Sequence, residues 1–163
     1  MKKAIFVILF LPFLLLGYTG CNSGSSDWEL VEGVVLPAET NELLNTIFSD
    51  QNTLKKHLPD NAQGKLYIIN TEEELKGLIP SCQETFDVDF EKYTLLLAVV
   101  STQSLSDEVN ALLYYCFDEN SYKYQIAVKK AEEAYLGLGF WGFWIVAPCK
   151  ITDNVSLEII EVP

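Results

Sequence analysis

Tyr122-Lys123-Tyr124-Gln125-Ile126-Ala127-Val128-Lys129 is the stretch that decides the fold class. Tyr124, Ile126 and Val128 recur at every second residue, with Lys123, Gln125 and Lys129 between them. Side chains of an extended chain alternate between two faces, so this spacing describes a strand with one face in a core and the other in water. Period-two patterning holds on either side of it, predicting strands over residues 93–101, 109–117, 122–130, 139–147 and 155–162. Asp118-Glu119-Asn120-Ser121 is the clearest hairpin turn between them.

Upstream, residues 28–36 are rich in β-branched side chains and stop at Pro37, which predicts one more strand. Leu43, Leu44, Ile47 and Phe48 then recur at helical spacing. Residues 50–64 are polar, are broken by Pro59 and read as loop. After a short strand over 65–69, Thr71 and Glu74 form a capping box at the head of a helix stopped by Pro80. Glu72, Glu73 and Glu74 complement the positive end of that helix, which gives these acids a structural task without a metal. The predicted class is α+β and mainly β: an antiparallel meander, as a sandwich or partly open barrel, with one or two short helices packed on it.

At the other end of the chain, Lys2 and Lys3 precede an apolar run over 4–16 that breaks at Gly17. A spanning helix needs about 20 apolar residues, so this shorter run with Pro12 inside it reads as an export leader. Tyr18-Thr19-Gly20-Cys21 resembles a lipobox, where a peptidase cuts before an acylated cysteine. The expected organisation is a signal peptide over 1–20, a lipidated Cys21 opening a Ser- and Gly-rich tether over 21–27, and one domain over 28–163. That places the protein in the cell envelope, attached to the outer membrane on its periplasmic or its surface side.

The chain has 11 lysines, no arginine and 23 acids. Removing a leader that holds two lysines and no acids leaves nine lysines against 23 acids, a net charge of −14. Such a chain cannot neutralise a phosphate backbone, which excludes nucleic acid as a partner. The same charge repels anionic headgroups and is expected to hold the domain off the membrane on its tether.

Segments 68–75, 88–97, 122–124 and 145–150 together resemble small cell-envelope lipoproteins of the Bacteroidota type, whose C-terminal half is similar to the PrcB C-terminal protease-complex domain. The resemblance covers residues 65–163, and Ser101-Thr102-Gln103-Ser104 stands where a glycine pair often follows the central strand. It implies protein binding without a reaction, and it makes a regulator or stabiliser of an envelope protease one expected role.

Three thiols follow Cys21: Cys82, Cys116 and Cys149. Export favours disulfides, and an odd number leaves at least one thiol unpaired. In a meander, Cys116 and Cys149 stand two strand steps apart, roughly 9.6 Å, beyond the ~7 Å that a bridge spans between Cα atoms. Cys82 lies on a loop, so the candidate pairs are Cys82 with Cys149 or Cys82 with Cys116. No metal-ligand spacing is present, and neither metal nor cofactor is expected.

His57 is the only histidine and has no nucleophile pattern beside it, while acidic pairs such as Glu132 and Glu133 are too common here to mark a glycosidase. No hydrolase, metalloprotease or phosphate-loop motif occurs, so no catalytic residue is assigned. The anomaly of composition is residues 135–144, where Phe140, Trp141, Phe143 and Trp144 alternate with glycines. They form either a strand buried on both faces or a surface for a sugar ring, a peptide or a partner's strand. The expected function is a membrane-anchored, non-catalytic protein-binding module, with carbohydrate binding as the rival.

Overall fold

The computed structural model describes residues 27–49, 51–58, 62–80, 82, 84–102, 109–129 and 139–162. The leader, Cys21, residues 22–26 of the tether, Glu132 and Glu133 lie outside the described residues, as do the side chains of His57 and Phe140. The elements in chain order are β1 (Trp28–Val31), α1 (Ala38–Ser49), α2 (Gln51–His57), β2 (Leu66–Ile69), α3 (Glu72–Leu78), β3 (Thr94–Thr102), β4 (Val109–Cys116), β5 (Ser121–Lys129), β6 (Gly139–Ala147) and β7 (Val155–Val162). The class is mainly β, as the periodicity predicts, and the strands form two open sheets, β1-β4-β5-β7 and β2-β3-β6.

β3 explains the layering. Leu95, Leu97 and Val99 enter one core with Leu44, Phe48, Leu54 and Leu75 from the helices, while Leu96, Ala98 and Val100 enter a second core with Leu113, Tyr124 and Ile126. The three-stranded sheet therefore lies in the middle, with helices on one side and the four-stranded sheet on the other. Residues with apolar side chains on both faces need cover on both faces, and only the middle layer supplies it.

That requirement corrects the meander. Only β4 and β5 keep the expected hairpin order, in which Leu113 faces Tyr124 and Ala111 faces Ile126. β3 pairs antiparallel with β2 and with β6, its partner in double burial, and β7 lies parallel to β5. Alternation says which face of a strand is wet but not which strand stands beside it, so the consecutive order does not survive folding.

Two further expectations are corrected. The first strand ends at Val31, after which the chain leaves the outer sheet, and the Val34 amide donates to the Val146 carbonyl on β6 at 2.8 Å. Gly33 permits this crossing, because a Cβ there would stand 2.8 Å from Ile145 Cγ1. Residues 50–64 are not all loop: α2 uses Leu54, and Leu58 beyond its end, to reach the helix-side core. The described residues thus carry three helices, one more than the upper expectation.

α3 forms as its sequence predicts. Thr71 Oγ1 accepts from the Glu74 amide at 3.1 Å, and the Glu74 carboxylate accepts from the amides of Thr71 at 3.2 Å and Asn70 at 2.6 Å. Leu75 and Ile79 are its contribution to the core.

Candidate functional site

The aromatic-glycine strand is β6, and described residues on both of its faces pack against a core. Trp144 and Val146 face the helix-side core, whereas Phe143 and Ile145 face the core between the sheets. Gly142 is buried under α1, where a Cβ would meet Phe48 Cβ at 3.0 Å and the Phe48 carbonyl at 3.1 Å. The Trp144 indole donates to Asn45 Oδ1 of α1 at 3.2 Å. Trp141 is half-buried on the side of Phe143. The glycine thus admits a helix instead of leaving rings bare, and Phe143 and Trp144 are packing residues. Trp141, Phe143 and Trp144 are each half-buried, so these rings line the strand without being sealed from solvent.

All three described cysteines are free thiols, so neither candidate disulfide is formed. Cys82 packs against the helix-side core and Cys149 against the core between the sheets, so the middle sheet stands between the two environments. Cys116 is fully buried, and its register neighbours are Trp28 on β1 and Ser121 on β5. Of the three strands concerned, β3 and β6 share a sheet as expected, while β4 with Cys116 belongs to the other.

Cys149 shares a hydrogen bond with the Tyr122 hydroxyl at 3.1 Å. Burial first, and the hydrogen bond and charge of the thiol after it, push the Tyr122 hydroxyl up to about 12. Tyr122 also meets Tyr115 with ring centroids 4.8 Å apart, and Tyr115 meets Phe117 edge-on at the same separation. Tyr115 donates to Asn120 Oδ1 at 2.9 Å, closing a hairpin whose residue Asn120 has φ 46°. These contacts fix the end of the outer sheet.

A second polar knot joins segments that the sequence reading singled out. Thr94, completely buried, donates to Asn70 Oδ1 at 2.6 Å and accepts from the Ile151 amide at 2.8 Å. Asn70 Nδ2 donates to the Ile151 carbonyl at 2.8 Å, and Lys150 Nζ donates to the carbonyls of Phe90 at 2.7 Å and Asn70 at 3.1 Å. Every group named is satisfied within the knot, which makes it a structural staple between the start of α3, the start of β3 and the exit of β6.

Among the described residues, two surfaces stand out as candidates for binding. One is β7, an edge strand of eight residues beyond which no described strand lies. Its Ile159 is 45% exposed although its side chain is large and apolar. The other is the face of the four-stranded sheet turned away from the core, on which register places Trp28, Leu30, Leu112, Tyr114, Lys123, Gln125 and Glu158. Lys123 Nζ lies 4.3 Å from the Trp28 ring centroid and 3.7 Å from Glu158, which in turn accepts from Gln125 at 2.7 Å. Sequence reading points to a sheet edge as a binding surface without naming the strand, since which strand becomes an edge or an outer layer depends on tertiary placement.

Among the described residues, no group of three or more His, Cys, Asp or Glu side chains could hold a metal ion, and no helix is long and apolar enough to cross a membrane. No protein family, curated protein or solved structure matches the chain.

Proposed function

We propose that this chain is an exported lipoprotein of the outer membrane, held by an acylated Cys21, whose domain binds another protein of the envelope by adding that partner's strand to β7. The leader and the Tyr18-Thr19-Gly20-Cys21 sequence support the anchor. The observation that carries the binding mode is the free edge of β7, with its exposed Ile159. An edge strand presents unpaired amides and carbonyls, and proteins that do not use such an edge normally blunt it. An incoming strand satisfies those groups and gains selectivity from alternate side chains beside Ile159. The resemblance to the protease-complex domain makes an envelope protease the first partner to seek.

A photo-reactive amino acid at position 159 in the full-length protein, activated in intact cells, tests this reading. The expected result is one discrete protein adduct that is absent when the same group is placed at Asn45 on the helix layer. An unmodified band at position 159, or the same ladder of adducts from both positions, contradicts it.

A further inference from the structure

We infer that the outer face of the four-stranded sheet lies against the same bilayer that holds the Cys21 anchor; this rests on the lipoprotein reading above. Six residues lie between Cys21 and Trp28, so the seven Cα-to-Cα steps between them reach at most about 25 Å. Trp28 is the first residue of β1 and belongs to that outer face by its pairing with Cys116. The layers stack at roughly 10 Å, which sets the helices about 20 Å behind it. A tether this short keeps the face through which the chain enters nearest the membrane. Contact through the anchor is then intramolecular, so a weakly apolar surface suffices to orient the domain.

The chemistry of that face fits a bilayer interface. Trp28 and Tyr114 offer ring systems with one polar end, the type of side chain that settles among headgroups. Leu30 beside them is 57% exposed. Glu29, between Trp28 and Leu30, belongs to the other side of the strand, opposite Tyr115. The outer face carries Lys123 and Lys129 against Glu158, an excess of positive charge in a mature chain of net charge −14. Anionic lipid repels a face of this composition less than it repels the acidic surface of the chain at large. None of the described helices packs on it: α1 and α2 lie on β6 and α3 on β2. Repulsion read from total charge alone predicts a domain held off the membrane, whereas the uneven placement of the charge turns one face towards it.

The test uses the full-length lipidated protein in vesicles of phosphatidylethanolamine and phosphatidylglycerol whose acyl chains carry bromine near the headgroup. Tryptophan emission is compared with that in unbrominated vesicles, alongside flotation of the protein with the lipid. The expected result is quenching that is mostly lost in Trp28→Phe and reduced in Leu30→Glu, with flotation unchanged in both. Protein that floats but shows no bromine quenching dependent on Trp28 overturns the orientation alone. Protein that does not float overturns the anchor together with it. A photo-reactive residue at position 30 in cells is expected to yield lipid adducts; a protein adduct there gives the face to a protein partner and overturns the proposal.

Discussion

Gly142 shows how one atom's absence organises the middle of the molecule. With Phe48 Cβ at 3.0 Å and the Phe48 carbonyl at 3.1 Å from the position of a Cβ, Gly142→Ala forces α1 away from β6. Overpacking of this kind costs about 1–3 kcal/mol, more than the ~0.4–1 kcal/mol that a smaller unfolded-state entropy returns. A lowered urea midpoint with an unchanged slope is the expected outcome. The tyrosines make a second prediction. Above the ordinary tyrosine value of about 10, the unfolded chain loses the Tyr122 proton, while the folded chain keeps it up to about 12. The folded state then binds more protons, so this contribution to stability is complete below about pH 10 and is lost as pH rises towards 12. Tyr124, fully buried and without a hydrogen-bond partner for its hydroxyl, is shifted in the same direction by burial. Urea midpoints should therefore fall from pH 10 upwards, less steeply in Tyr122→Phe, and a flat profile over that range refutes the burial of both hydroxyls. The cysteines carry the residue-scale lesson. Their number was legible in the sequence, but pairing depends on where each segment lies in the fold, and that information lies in no local pattern.

Elements were legible where local chemistry closes on itself. The capping box of α3 needs only residues 70–74, and the β4–β5 hairpin needs only its turn and two alternating flanks. Thr71→Ala removes the side-chain acceptor of the Glu74 amide, and the loss of such a cap costs about 1 kcal/mol. Thermal unfolding should show that loss, with the far-ultraviolet spectrum preserved at low temperature. Elements were illegible where tertiary cover decides. α2 has seven residues, too few to form alone, and is held by Leu54 and the following Leu58 against the helix-side core. The break after Val31 falls at Glu32-Gly33, and the close packing of Gly33 on Ile145 involves a strand more than a hundred residues away, which no local pattern shows. The packing of α1 on Gly142 of β6 was likewise illegible, because no period in 135–144 encodes the position of that helix.

At the scale of the whole molecule, an apolar N-terminal run ending near Cys21 precedes a layered domain of helices, middle sheet and outer sheet, in a chain of net charge −12. The class of fold was legible because alternation and helical spacing are local; the placement of edges and outer faces was not, and those are the surfaces that carry the proposed binding. Every functional statement depends on attachment at Cys21, since both the nearness of the outer sheet to lipid and the presentation of β7 to envelope partners require it. Intact mass and N-terminal peptide mass of the protein taken from the membrane fraction test this most directly. The account predicts a chain that begins at Cys21 and carries acyl mass on that residue, with Cys21→Ser left unlipidated and released from the membrane. A mature chain that starts elsewhere, or an unmodified Cys21 thiol on membrane-bound protein, contradicts it.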